Sequence, residues 1–332
     1  MEPMAGPEFA SIAETLVGSG LRDVLVPGME PLRRGELWQV VDAARRAGAE
    51  SIGITTNGTL LDRHLDHIAN SPLTVINVSL DGPQAVHDSL RGRGVFGVVV
   101  RNLGLLRRAW PKRLVTNTTV TATNLQHLTE VARIAHDQGA TYAAFHPYEV
   151  SDESGQTLAA SAERVAAAYE VLVNSFSAGK TGSIALEADA STFDVLTHLV
   201  GRGSLDDALL MTDERGYLFL VLRQGGRELL VNLAAYPRHF VHTIRVVDNG
   251  GLASCRTMSK TRWRGIGDLR RAPLPDVLKS AEAIDAAAGL WLEFAGSLHR
   301  GSPGLLNHYS AVIAAAASRA RTTPQSFSAL AA

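Results

Sequence analysis

The sequence predicts an α/β fold: a partial (β/α)6 barrel of the TIM type with about five or six parallel strands, followed by an antiparallel hairpin region and a terminal helix. Three observations predict it. Short β-branched runs alternate with longer amphipathic stretches through residue 180. Several runs end in turn residues, as in Gly28-Met29-Glu30-Pro31, Asn57-Gly58 and Asp81-Gly82. Past residue 180 the alternation gives way to two hairpin patterns.

The strand candidates, in order, are RDVLVPG (22–28), SIGITTNG (51–58), TVINVSLDG (74–82), LVTNTTVTA (114–122) and TYAAFHPY (141–148). Each is followed by a helical pattern: GELWQVVDAARRAG, LDRHLDHIAN, GVVVRNLGLLRRAW, LQHLTEVARIAHDQG and SAERVAAAYEVLVNSF. The helix pattern SIAETLVGSG (11–20) precedes the first strand, so the unit that would open the barrel shows its helix without a clear strand. Beyond the barrel lie YLFLVLRQGGRELLVNL, with Gly225-Gly226 at its turn, and HTIRVVDNGGLASC, with Asp248-Asn249-Gly250. A proline-punctuated segment, RRAPLPDVLKSAEA, leads to an alanine-rich helix pattern, NHYSAVIAAAASRARTT. The expected divisions are a barrel over 1–180, a hairpin region over 181–285, and a terminal helix and tail over 286–332.

Composition bounds the function classes. The 332 residues are 45% hydrophobic and 20% charged, enough for a large core. Lys and Arg total 32 against 33 Asp and Glu, so no overall field points to nucleic acid or an anionic membrane as a partner. The start, MEPMAGPEFA, lacks a basic n-region and an apolar h-region, and no apolar run reaches the ~18 residues of a membrane span. The expected location is the cytoplasm. A single cysteine, Cys255, leaves no internal disulfide and no cysteine-based metal site built from this chain alone.

In a parallel barrel, ligands sit at the carboxyl ends of the strands. The groups expected on that rim are Gly28-Met29-Glu30-Pro31, Thr55-Thr56-Asn57-Gly58, Ser79-Leu80-Asp81-Gly82, Asn117 with Asn124, and His146-Pro147-Tyr148. Each has a plain alternative. Gly28 and Pro31 serve equally to shape a βα turn, Asn57-Gly58 and Asp81-Gly82 serve as turns, and Asn124 serves as a helix cap. Glu30, Asp81, His146, Tyr148 and Glu149 are the candidates for acid-base work, although a histidine at a strand end is more often simply satisfied there. No Ser-His-Asp order, P-loop or HExxH is present. The cations of SCRTMSKTRWRG (254–265), Arg256, Lys260, Arg262 and Arg264, form either a solvated loop or a docking surface for an acidic leader peptide.

The order and spacing of these groups carry a resemblance. The run PGMEPLRRGELWQVVDAARRAGAESIGITTNGTLL, then VSLDGPQAVHDSLRGRGVFGVVVRNLGLL with its His87-Asp88-x2-Arg91-Gly92 element, then TNTTVTATNLQHLTEVARIAHDQGATYAAFHPY, is similar to the radical S-adenosylmethionine family, in particular its peptide-modifying branch with a SPASM or twitch extension. VVDNGGLASC followed by GIGDLRRAPLPDVLKS resembles a twitch region more weakly. The resemblance implies that Gly28, Met29 and Glu30 stand where the family binds the methionyl amino group. It also implies that Ser79 and Asp81 approach ribose or carboxylate, and that Asn117 or Asn124 takes the family's asparagine position. Met29 replaces a glycine and would crowd the ligand's approach, so whether S-adenosylmethionine still binds stays open.

The family's chemistry needs three cysteines in a CxxxCxxC loop, and these 332 residues contain only Cys255. No [4Fe-4S] cluster is therefore expected from this chain, and it cannot perform radical S-adenosylmethionine chemistry alone. Three accounts are open: natural degeneration, a cluster loop lying upstream of the first residue given, and deliberate truncation. The expected function is that of a cluster-less, radical-SAM-like protein in a bacterial biosynthetic or peptide-modification pathway, with a small-molecule or peptide pocket at the rim. The alternatives are a non-catalytic substrate-binding or scaffolding partner of an active radical SAM enzyme, and an active radical SAM enzyme whose N-terminal cluster loop is missing from this sequence; the partners expected are a peptide or small-molecule substrate and either an active radical SAM protein or a second copy of this chain.

Overall fold

A computed structural model describes residues 5–28, 30–148, 156–189, 207–212, 218–232, 244–246, 251–255 and 263–286, with a few isolated positions besides. The expected terminal helix over 307–323 and most of the tail lie outside the described residues, as do Met29, Glu149, Arg256, Lys260 and Arg262.

The chain alternates helix and strand as α1 (Gly6–Gly18), β1 (Asp23–Val26), α2 (Leu37–Arg46), β2 (Ser51–Thr56), α3 (Leu65–Asn70), β3 (Val75–Ser79), α4 (Gln84–Arg91), α5 (Val95–Ala109), β4 (Arg113–Val120), α6 (Leu128–Asp137), β5 (Tyr142–Pro147), α7 (Ala162–Ser177) and β6 (Ala185–Asp189). There follow β7 (Leu209–Thr212), β8 (Leu218–Gln224), β9 (Arg227–Asn232), β10 (Ile244–Val246), β11 (Gly251–Cys255), β12 (Trp263–Asp268) and α8 (Leu274–Leu278). All five expected strands form, and β1 to β6 are consecutive parallel neighbours. Beyond residue 180 the same sheet runs on: β9 pairs parallel with β6, and β8 and then β7 add antiparallel to complete nine strands in the order β1-β2-β3-β4-β5-β6-β9-β8-β7.

The two faces of this sheet differ. One set of alternating side chains, including Ile54, Ile76, Val78, Leu114, Phe145 and Leu186, is fully buried and packs with the helices in one continuous core. The helices meet it with apolar stripes at helical spacing, such as Leu37, Val41 and Ala44 of α2 and Leu128, Val131, Ala132 and Ala135 of α6. The opposite set faces away from the helices. Its apolar part is a separate cluster of Val115, Tyr142, Ala144, Val221 and Leu230, joined by Val75, Ala185, Met211 and Phe219. Interleaved with these on the same inner face, by the period of two along each strand, are Thr55, Asn77, Ser79, Asn117, Thr119, His146 and Glu187.

The second hairpin forms as β10 and β11, with its Asp248-to-Gly250 turn outside the described residues, and β12 completes a small antiparallel sheet. Leu252, Ile266, Leu274 and Val277 of this unit pack with Leu16 of α1. Among the described residues, no helix is long and apolar enough to cross a membrane.

Candidate functional site

The strand ends are fastened by two buried carboxylates. After β1, Gly28 at φ +148° and the extended Glu30 carry the chain into a one-turn 3-10 helix, Pro31–Arg33. Glu30 is 7% exposed, and its carboxylate turns across to the next loop. One oxygen accepts from the Leu32 amide at 3.2 Å and the Thr56 hydroxyl at 2.7 Å; the other accepts from the Asn57 amide at 2.8 Å. The Thr56 Oγ1 in turn accepts from the Gly58 amide at 3.1 Å. Gly58 has φ +79°, and a Cβ there would meet Val78 at 2.8 Å, so the turn needs glycine on both counts. Asn102, buried in α5, donates to the Gly58 carbonyl at 2.9 Å and closes the assembly from outside. Between the two turns lies a cavity of about 410 Å³ whose polar lining includes Glu30, Arg33, Asn57, Thr59, Arg63 and His64.

The second carboxylate, Asp81, is 2% exposed at the end of β3. One oxygen pairs with Arg91 Nε, and the other accepts from the Thr119 amide of β4 at 2.9 Å. The Asp81 amide donates to His87 Nδ1 at 3.0 Å, and its carbonyl accepts from Asn124 Nδ2 at 2.8 Å. His87 and Arg91 stand four residues apart on α4, so both reach Asp81 from one helix face. Because His87 Nδ1 accepts, the neutral ring carries its proton on Nε2. Nε2 is buried without a hydrogen-bond partner among the described residues, and the ring meets Phe96 edge-on at 6.0 Å. Burial pushes the His87 pKa down, against the raising pull of the Asp81 charge. Asp88, on the same helix, accepts from the amides of Gly94 and Phe96, and these bonds hold its carboxyl below the ordinary range.

Asn124 is fully buried and makes four contacts: its amide donates to the carbonyls of Asp81 and Thr119, and its oxygen accepts from the Thr121 amide and hydroxyl. It therefore locks the β4 loop onto the β3 loop rather than accepting from the amides of the helical turn that follows it.

The other expected rim residues are placed differently. Ser79 and Asn117 are register neighbours on the inner face of β3 and β4, half-buried, with no side-chain hydrogen-bond partner among the described residues. Thr119 and His146 are likewise neighbours on β4 and β5, and Tyr148, just past β5, holds the Val120 carbonyl with its amide. Thus Ser79, Asn117 and His146 share the inner face, whereas the side chains of Glu30, Asp81 and Asn124 are engaged in joining loops. Sequence reasoning quoted His87 and Arg91 but gave neither a role, and it missed Glu187 of β6 and Asn232 of β9. The signal for the first pair was their helical spacing; Glu187 had none because β6 was not recognised, and Asn232, although in the expected hairpin arm RELLVNL, had none because nothing placed that arm beside β6.

Comparison with known proteins agrees with this geometry. Residues 7–135 match the radical SAM superfamily. The chain is 36% identical over 102 residues to the GTP 3',8-cyclase of Synechocystis sp., covering 30% of this chain and 31% of the cyclase. It is 34% identical over 122 residues to the mycofactocin maturase MftC of Mycolicibacterium smegmatis, covering 36% of this chain and 30% of the maturase. These matches span less than a third of the length of either relative. Among solved structures, anSMEcpe with bound AdoMet and the Kp18Cys peptide superposes with a TM-score of 0.56 at 14% identity, covering 88% of this chain and 75% of that one. Streptococcus suis SuiB bound to S-adenosylmethionine superposes with a TM-score of 0.63 at 12% identity, covering 87% and 61%. At these identities the superpositions establish the fold, and the sequence match places a radical SAM domain over residues 7–135 of this chain.

Proposed function

We propose that this chain serves a biosynthetic or peptide-modification pathway as a radical-SAM-like protein that binds an adenosyl ligand or a peptide on the inner face of its barrel, without holding an iron-sulfur cluster of its own. The observation that carries this is the pair Ser79 and Asn117, polar and unpartnered on adjacent strands among the described residues, beside loops already fastened by other groups. Neutral donors and acceptors of this kind suit ribose hydroxyls, a base edge or a peptide backbone. The relatives support the pathway class: one is named as a cyclase, one as a maturase, and SuiB has been solved with its precursor peptide SuiA.

The residues present do not fit a [4Fe-4S] cluster. Such clusters are held by several cysteine thiolates, and the sequence has one cysteine, Cys255, at the end of β11 in the small sheet rather than on a barrel strand. Among the described residues there is no group of three or more His, Cys, Asp or Glu side chains that could hold a metal. For S-adenosylmethionine the fit is better. The Glu30 carboxylate fixes the turn after β1, leaving backbone groups of that turn to meet a ligand, while Ser79 and Asn117 supply side-chain contacts.

Calorimetric titration of the full chain with S-adenosylmethionine tests this reading. Binding is expected, and Asn117→Ala should weaken it by about tenfold, the effect of a lost hydrogen bond. No heat and no thermal stabilisation at millimolar ligand would reject the adenosyl reading. Anaerobic reconstitution with iron and sulfide should leave about zero iron per chain, and recovery of a full cluster would overturn the cluster-less part. Activity that appears only in stoichiometric complex with an active radical SAM enzyme would assign the chain a substrate-binding role.

A further inference from the structure

Glu187 lies on the inner face of β6, between Ala144 of β5 and Leu230 of β9, one residue pair below the end of the strand. It is half-buried, and its two register neighbours belong to the apolar inner cluster. Asn232 of β9 donates to one of its oxygens at 2.7 Å. The Tyr142 phenol is also turned toward it: its pKa is pushed well up, first by burial and next by the Glu187 charge. Neither neighbour neutralises the carboxylate, and among the described residues no cationic side chain makes an ion pair with it. Beside it, the Asn232 Oδ1 is buried and has no hydrogen-bond partner among the described residues.

A half-buried charge over an apolar floor and an orphaned carbonyl oxygen are both unfavourable unless paired. Here the two acceptors are adjacent, because the amide whose nitrogen holds Glu187 also carries the unpaired oxygen. One group with several N–H donors and a positive charge satisfies both at once, which a hydroxyl or thioether cannot do. We infer that Glu187 and Asn232 form a recognition point for an ammonium or guanidinium group of the substrate, selecting ligands that present a lysine-like, arginine-like or amino-terminal cation to the inner face. This deepens the proposed function and rests on its reading of the inner face as the ligand-facing one. It assigns the substrate's charge, which that reading leaves open.

The test uses the full chain and three small probes: Nα-acetyl-lysine N-methylamide, Nα-acetyl-arginine N-methylamide and the neutral Nα-acetyl-norleucine N-methylamide. A cationic probe should bind about ten- to a hundredfold more tightly than the neutral one, the range for a charge-assisted hydrogen bond. Glu187→Gln, which keeps shape and removes charge, should erase that preference, and Asn232→Ala should reduce it. Equal binding of charged and neutral probes by the unmodified chain would overturn the inference without any variant, as would failure of both cations to bind. So would an unchanged preference in a folded Glu187→Gln chain. Cation selectivity without S-adenosylmethionine binding would uphold this site and reject the adenosyl reading; the converse would do the opposite.

Discussion

Two sets of polar residues share the rim of this barrel, and they are used in opposite ways. Glu30, Asp81 and Asn124 are buried and engaged: between them they accept from backbone amides of Leu32, Asn57, Thr119 and Thr121 and tie each βα loop to its neighbour. Ser79 and Asn117 stand beside them, half-buried and without side-chain partners among the described residues. The difference teaches that a polar residue at a strand end is a ligand contact only when its own hydrogen bonds are still available. Geometry separates two groups that look alike as letters.

The largest expected effect comes from cutting the first clamp. Glu30→Ala removes three hydrogen bonds and leaves the buried donors of Leu32 and Thr56 without an acceptor, each costing about 1–3 kcal/mol. The loss should be about 3 kcal/mol or more, read as a lower urea midpoint. A loss below about 1 kcal/mol would show that water replaces the carboxylate and that the clamp is not what holds the turn. Asp81→Asn should do less. The amide can still accept from Thr119, and Arg91, whose side chain is 35% exposed, can recover water when its ion pair is lost. A loss of about 1–2 kcal/mol is expected, between an exposed pair and a buried one. A larger loss than that of Glu30→Ala would reverse the ranking of the two clamps.

The second clamp should also be the pH-sensitive one. Burial lowers the His87 pKa in the folded chain, so the unfolded chain takes up the proton first as pH falls. Stability from this group is full above the ordinary histidine value of 6.5 and is lost as pH drops below it toward the folded value. His87→Asn, whose side-chain oxygen can still accept from the Asp81 amide, should flatten the stability curve just below pH 6.5 by less than one proton. An unchanged slope would place the acid sensitivity elsewhere.

Much of the fold was legible in the sequence, and for a physical reason. Parallel strands buried under helices need β-branched, apolar side chains on the helix-facing side, so Ile52, Ile54, Ile76, Val78 and Val120 announce β2, β3 and β4. β6 was not legible. Ala185, Leu186, Glu187, Ala188 and Asp189 have poor strand propensity, and they form a strand because β5 and β9 offer edges on both sides. Glu187 disappeared from view with its strand. At the candidate site, Asn57-Gly58 was legible as a turn candidate, and the four-residue spacing of His87 and Arg91 was visible. The hydrogen bonds of Glu30 to residues 26 and 27 positions away were not, because a carboxylate that binds backbone amides imposes no pattern on the residues that supply them.

The smallest expected change in stability belongs to the open pair, and it tests the comparison most directly. Ser79→Ala and Asn117→Ala remove side chains that hold nothing in place among the described residues, so each should shift stability by no more than about 0.5 kcal/mol, the range of substitutions away from packing and hydrogen-bond networks. The two lie side by side on β3 and β4, so the double variant must be made as well as the singles, because contacting residues need not be additive. If the pair is there to meet a ligand, the double variant should unfold at nearly the same urea concentration as the parent chain and lose adenosyl or peptide binding. If the double variant instead unfolds about as early as Asp81→Asn, the two side chains are part of the same fastening as the clamps, and the division of the rim into engaged and open residues fails.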